Sequence, residues 1–352
     1  MSATATPSIL PPESAELTSA AAAASPLWKT GDPGSVRPWT RPDGAAAMYT
    51  YWKPTVSEES GEGSHDQDRH QEPGQPEPHD QHLRAKRIIV AIHGISGAPS
   101  DFVPLGHTFS RRGTHVFAPQ MRAQGHETDA DRRGDITSAH LWLNDIRHFL
   151  QLARDLHPGL PLYLYGESMG AILSINTVHI LPKDELPAGA IFASPVFAID
   201  NPPPWWREML YNVLMRLLPS KRVRVGEFKT KREKELRITR DNEYQVRLHE
   251  SAHYVNSYTL RFFGELRKLI HRCPEAAAAL TIPVWVPYAM HDIFIRPTTV
   301  EAFWQLARNP NVQLKRYDES HHLLLHDSAM DEVLADLEKW LKTAERNALH
   351  SR

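Results

Sequence analysis

The chain has 352 residues, a formal net charge of −2 and one cysteine, Cys273. That length allows one large α/β domain with additions, and the near-neutral charge gives no electrostatic case for nucleic acid or an acidic partner. One cysteine excludes an internal disulfide framework and suits a reducing, cytoplasmic setting. No stretch approaches the roughly 18–20 apolar residues of a membrane span. The alanine run at 20–24 is flanked by Ser, Thr and Pro, so no signal peptide is expected.

Residues 1–34 are rich in Ala, Ser, Thr and Pro without a period, which predicts disorder. Residues 35–53 carry Trp39, Met48, Tyr49, Tyr51 and Trp52 and read as a β-hairpin arm. Residues 54–84 are acidic and polar, with Val56 and Leu83 as their only aliphatic side chains, and predict a second disordered insert. Its histidines, His65, His70, His79 and His82, match no fixed-geometry metal spacing, so a solvated loop is expected there and no metal or cofactor anywhere.

From residue 85 strands and helices alternate. Strands are predicted over 87–92, 114–119, 161–165, 189–194, 283–289 and 312–317, and helices over 102–112, 141–156 and 330–344. Such alternation predicts a mostly parallel sheet covered by helices on both faces. A first core part is expected over 85–197 and a second over 281–346. The block between them, 198–280, is too long for an ordinary crossover and predicts an inserted helical cap. It carries Trp206, Leu210, Val213, Leu214 and Leu217 on one helical face, widened by Met209 and Leu218, with a basic run behind at Lys221, Arg222 and Arg224. That face suits a lipid surface, giving peripheral membrane contact through the cap. The plainer reading packs it on the core, with a pocket below.

Gly166-Glu167-Ser168-Met169-Gly170 follows the apolar strand and precedes a small-residue helix, the context of a nucleophile elbow. A serine hydroxyl needs a base, and the base an acid partner. The elbow order is serine, acid, histidine, each at a strand's C-terminal end. Asp292 follows the strand at 283–289. His321 and His322 both follow the strand at 312–317 and compete for the base, since adjacent loop residues point apart. Asp318 and Glu319 lie on the wrong side of the last strand to be the acid. The oxyanion needs two donors, expected from the backbone N–H groups of Met169 and of Ile95 in the loop His93-Gly94-Ile95-Ser96-Gly97. His93 is expected to shape that loop, and Glu167 either to tune the pocket or, on the plainer reading, to bond a neighbouring backbone group.

These segments resemble the α/β-hydrolase superfamily, and within it the monoacylglycerol lipase and lysophospholipase group, over residues 86–345. The resemblance rests on the 93–97 loop, the 166–170 elbow, the His291-Asp292-Ile293-Phe294-Ile295-Arg296-Pro297 segment, and His322 with an acidic residue, Asp327, five positions later. That last spacing favours His322 over His321. The family's arginine–glycine–histidine–glycine stretch is only partly kept, as Arg122-Ala123-Gln124-Gly125-His126.

The resemblance implies a serine hydrolase of the α/β-hydrolase fold that cleaves small-molecule acyl esters. Single-chain lipids lead as substrates, with a short-chain carboxylesterase or thioesterase as the alternative. A non-catalytic binding protein on the same scaffold is the reading of another class, and the Ser168, Asp292 and His322 set argues against it.

Overall fold

The computed structural model describes residues 27–55, 85–127, 131–198, 204–224 and 237–350. Strand β3 (Arg87–Ile92) is buried along its whole length. Ile88, Val90 and Ile92 enter one hydrophobic cluster, while Ile89 and Ala91 enter the other. A strand without a polar side belongs inside a sheet that is covered on both faces. Here it lies between β4 (Thr114–Pro119) and β5 (Leu162–Glu167), parallel to both. The parallel set continues through β6 (Gly189–Ala193), β9 (Val284–Ala289) and β10 (Val312–Tyr317). The predicted hairpin, β1 (Ser35–Thr40) and β2 (Ala46–Trp52), pairs antiparallel with β4. The order 1-2-4-3-5-6-9-10 is the mostly parallel sheet of an α/β hydrolase.

One face is covered by α3 (Ala139–Leu156), α4 (Met169–Ile180), α7 (Leu260–Ala279) and α8 (Pro297–Ala307). The other carries α2 (Val103–Ser110) and α9 (Met330–His350). Helix α9 presents Val333, Leu334, Leu337, Trp340 and Leu341 to the sheet. It is also tied to β3 by buried Arg87, which pairs with Glu338 at 2.9 Å and Glu345 at 2.6 Å.

Three expectations need correction. The predicted disorder through residue 34 does not extend into the described part: α1 (Leu27–Thr30) buries Trp28, whose indole N–H donates to Asp241 at 2.8 Å. Lys29 pairs with Glu243 and the Trp52 indole donates to the Asp32 carbonyl at 2.7 Å, so several contacts dock this short segment; residues 1–26 and the acidic stretch 56–84 lie outside the described residues.

The block 198–280 is also not helical throughout, and it does not run to 280 as a separate unit. It holds α5 (Trp205–Leu217), α6 (Asn242–Glu250) and an antiparallel pair, β7 (Arg222–Arg224) with β8 (Ser257–Thr259). Helix α7 buries Phe262, Leu269, Cys273, Ala276 and Ala277 in the main core, so the core layer resumes near residue 260.

Third, the apolar face of α5 does not pack inward. No residue of that helix is buried, and Trp205 and Leu217 are 75% and 71% exposed. Among the described residues no helix is long and apolar enough to cross a membrane. Helix α8 was not anticipated, because its apolar pattern is short.

The fit of the hairpin arm against the helices is tight at Trp52, which is fully buried. A Cβ on Gly106 of α2 would stand 2.1 Å from its indole. Gly106→Ala should therefore destabilise the protein by about 1–3 kcal/mol, the usual cost of overpacking, read as a lowered urea midpoint at an unchanged m-value.

Candidate active site

Ser168 is the single residue between β5 and α4, with φ 55° and ψ −116°. A serine in that region costs about 1–3 kcal/mol and persists only where its surroundings over-determine it. Here they do. Its N–H donates to the Ala193 carbonyl and its own carbonyl accepts from the Ala171 N–H, both at 3.0 Å. A Cβ on Gly170 would stand 2.0 Å from the Ile92 carbonyl oxygen, and one on Gly166 2.5 Å from that of Gly170. Both flanking glycines are therefore steric necessities. Gly94 closes the site from the loop after β3, where a Cβ would lie 3.2 Å from the Ser168 Cβ.

The loops after β9 and β10 bring Asp292 and His322 together. His322 Nδ1 is 2.7 Å from Asp292 Oδ2, with the two side chains only 4% and 1% exposed. The other carboxylate oxygen, Oδ1, accepts the Phe294 N–H at 2.8 Å, which fixes the acid. The Phe294 ring packs edge-on against the imidazole at 4.6 Å. The turn at the end of β6 links this pair to the elbow. Ala193 holds the Ser168 amide, and the next residue, Ser194, donates its hydroxyl to the His322 carbonyl at 2.6 Å.

His321 is directed elsewhere. Asp327 Oδ2 accepts from the His321 backbone N–H at 2.7 Å and lies 3.0 Å from its ring Nδ1. The acidic residue five positions after His322 thus holds its neighbour, and His322 takes Asp292. Asp318 pairs with Arg316, and Glu319 with Arg240, so both face away from the site.

Burial works against a charged His322, but the Asp292 carboxylate, with Glu167 adding to it, holds its pKa above the usual histidine value. Glu167 was expected to bond a neighbouring backbone group. Its Oε1 instead has no hydrogen-bond partner among the described residues. Burial pushes Glu167 up to about 7, opposed by His322 and reinforced by Asp101.

Asp101, also buried, is pushed up to about 6 by burial, against the Ala98 N–H and the Tyr244 hydroxyl that bond it. Tyr244 in turn stacks on buried His326, with ring centroids 3.7 Å apart. Sequence reasoning missed Asp101, Tyr244 and His326. They are scattered in the chain and belong to no motif.

The loop after β3 is built as a turn, closed by the Gly97 N–H to the Gly94 carbonyl at 3.2 Å. His93 is fully buried and bridges loops. Its Nδ1 lies 2.9 Å from the Gly94 carbonyl, and its Nε2 accepts the Met121 N–H at 3.1 Å. With Nε2 accepting, the imidazole is neutral with its proton on Nδ1, and burial lowers its pKa to about 4. That is a structural histidine, as the sequence reading had it. Among the described residues no cluster of three or more His, Cys, Asp or Glu side chains is placed to hold a metal.

The sequence profile described as serine aminopeptidase, S33, matches residues 84–329. The chain belongs to that family. Within the α/β hydrolases it falls in the lipase-like, ester-hydrolysing group.

It is similar to Bacillus subtilis phospholipase YtpA, 23% identical over 71% of this chain and 93% of the relative. It is also similar to human monoglyceride lipase, 22% identical over 85% of this chain and 88% of that one. Caffeoylshikimate esterase of Arabidopsis thaliana is 26% identical over 73% and 77%. A solved soluble variant of Saccharomyces cerevisiae monoglyceride lipase superposes with a TM-score of 0.70 at 18% identity, covering 89% of this chain and 96% of that one.

The elbow packing makes a sharp prediction for this hydrolase. Gly170→Ala drives a methyl into the Ile92 carbonyl, and either the strand or the turn must move. Denaturation should show a loss of about 3 kcal/mol or more. A variant as stable as wild type would mean that the elbow is loosely packed.

Proposed function

We propose that the protein is a serine esterase that works through an acyl-enzyme on single-chain lipid esters, a monoacylglycerol or a lysophospholipid. The observation that carries the reading is the 2.7 Å contact between the nearly fully buried His322 and Asp292, alongside Ser168 held at a positive φ.

In this mechanism the Ser168 Oγ attacks the ester carbonyl carbon as His322 Nε2 takes its proton. The oxyanion is stabilised by the backbone N–H groups of Met169 and Ile95. When the carbon–oxygen bond to the alcohol breaks, His322 returns the proton to the leaving oxygen. Water then attacks the acyl-enzyme, giving a proton to His322, and that proton goes back to Ser168 as the acid departs. Asp292 keeps the imidazole proton on Nδ1 and stabilises the cation that forms in each step.

Two features support the substrate class. Trp205, Trp206, Met209, Leu210, Val213 and Leu217 leave α5 clad in exposed apolar surface, and such a surface on a helix suits contact with lipid. Several relatives are named as lipases of monoglycerides or as phospholipases. On this reading the segment from 198 to about 259 is a cap that rests on a membrane surface while the enzyme works in the cytoplasm.

The test is hydrolysis of p-nitrophenyl esters from two to sixteen carbons. Activity should rise toward long chains, vanish in Ser168→Ala and His322→Ala, and survive in His321→Ala. A short-chain optimum would favour a general esterase. No hydrolysis and no fluorophosphonate labelling would sink the enzyme reading.

The pH profile carries its own sign. His322 must be neutral to accept a proton, so kcat/KM should fall as pH drops through a pKa above the usual histidine value near 6.5. Asp292→Asn removes the main cause of the rise, so the acid limb should move to lower pH while kcat drops roughly 10⁴-fold. Glu167→Gln should move the limb the same way by less.

A further inference from the structure

Ser96 sits in the turn after β3 at φ 59°, a left-handed conformation that costs a serine about 1–2 kcal/mol. Its backbone N–H is shared between Gln124 Oε1 at 2.8 Å and the Tyr258 hydroxyl at 3.0 Å. Its own hydroxyl donates to the Val255 carbonyl at 2.8 Å and lies 2.9 Å from the Tyr258 oxygen. The Tyr258 proton goes to Gln124 Oε1, 2.7 Å away. All three side chains are buried. The Ser96 and Gly97 amides are both engaged inside the protein, so neither serves the substrate.

The two halves of this clamp come from different parts of the chain. Gln124 belongs to the core, in the loop after β4. Val255 and Tyr258 belong to the segment inserted between β6 and β9. That segment is itself fastened to the core. The Thr259 N–H donates to the Gly134 carbonyl at 2.9 Å, the Thr259 hydroxyl donates to Asp135 at 2.6 Å, and Arg261 pairs with Asp135. The fit leaves no slack, since a Cβ on Gly134 would stand 2.2 Å from the Ser257 carbonyl oxygen.

We infer that Tyr258 is a positioning residue for the hydrolysis: through Ser96 its hydroxyl sets the Ile95 amide against the reacting carbonyl, so that the inserted segment helps to build the oxyanion site. The inference rests on Ser168 as nucleophile and Ile95 as oxyanion donor. Its cause is geometric. A donor aimed at the oxyanion acts only in the transition state, so loosening it lowers kcat and leaves ground-state binding alone.

The experiment is Tyr258→Phe, which keeps the ring and its packing on Phe262, centroids 4.4 Å apart, and deletes the hydroxyl. On a p-nitrophenyl ester kcat should fall about tenfold to a hundredfold with KM within twofold. Inhibition by a trifluoromethyl ketone, which forms a tetrahedral adduct on the serine, should weaken by the same factor as kcat/KM. Wild-type kcat and ketone affinity in Tyr258→Phe would overturn the inference, as would a change confined to KM or to the melting temperature.

Should Tyr258→Phe fail to fold, Ser96→Ala must show the same parallel loss of kcat and ketone affinity, and its absence overturns the inference equally. Activity that survives Ser168→Ala would instead remove the nucleophile assignment beneath it. Activity that needs Ser168 but ignores the Tyr258 hydroxyl removes this inference alone.

Discussion

Ser168 adopts a backbone conformation that an isolated serine avoids, and the rest of the site is arranged around keeping it there. The space that a side chain at 166 or 170 would need is already filled by backbone: the carbonyls of Ile92 and Gly170. Strand β3 therefore does more than fill the middle of the sheet. Its last carbonyl forms the wall against which the elbow is pressed, and the loop that follows it turns back over Ser168 at Gly94. Strain stored at one residue is offset by close packing of a whole strand–helix junction.

Behind that junction the site is buried and crowded with ionisable groups. Asp292 and His322 satisfy each other, as buried polar groups must. Glu167 and Asp101 are different. Both are buried carboxyls raised toward neutrality, and each neighbours a group that feels its charge. The electrostatic setting of His322 is thus made by more than its acid partner. Behind Asp101 the buried polar layer continues through Tyr244, which bonds it, and His326, on which Tyr244 stacks.

Much of this was legible in the sequence. Buried parallel strands announce themselves as apolar runs, and β3, β4 and β10 fall on the residues expected. The elbow could be read because its glycines and its strand–helix context are local. The choice between His321 and His322 was legible only in part. Their difference lies in which carboxylate each one meets, and that is settled by the path of two loops thirty residues apart. Asp327 shows how indirect the signal was: its spacing picked out His322 as the base, yet the contact it makes is with His321. Tyr258 carried no signal, and Gln124 only its place in the stretch that departs from the family's pattern, because a clamp made of one side chain from each of two distant segments leaves no period and no motif of its own. The outward face of α5 was ambiguous for a related reason: amphipathic spacing shows that a helix has an apolar side, but not what covers it.

The span that marks this chain's kinship, residues 84–329, is smaller than the body that holds its shape. Outside it lie the hairpin that shields the β4 edge and the helix whose Glu338 and Glu345 neutralise Arg87 inside the protein. A polypeptide trimmed to that span would keep Ser168, Asp292 and His322, yet it would open a sheet margin to other chains and strand a guanidinium without counterions. The limits of a sequence profile are thus not the limits of a self-sufficient body: the first hairpin completes the sheet, and the last helix completes the charge balance of a strand at its centre.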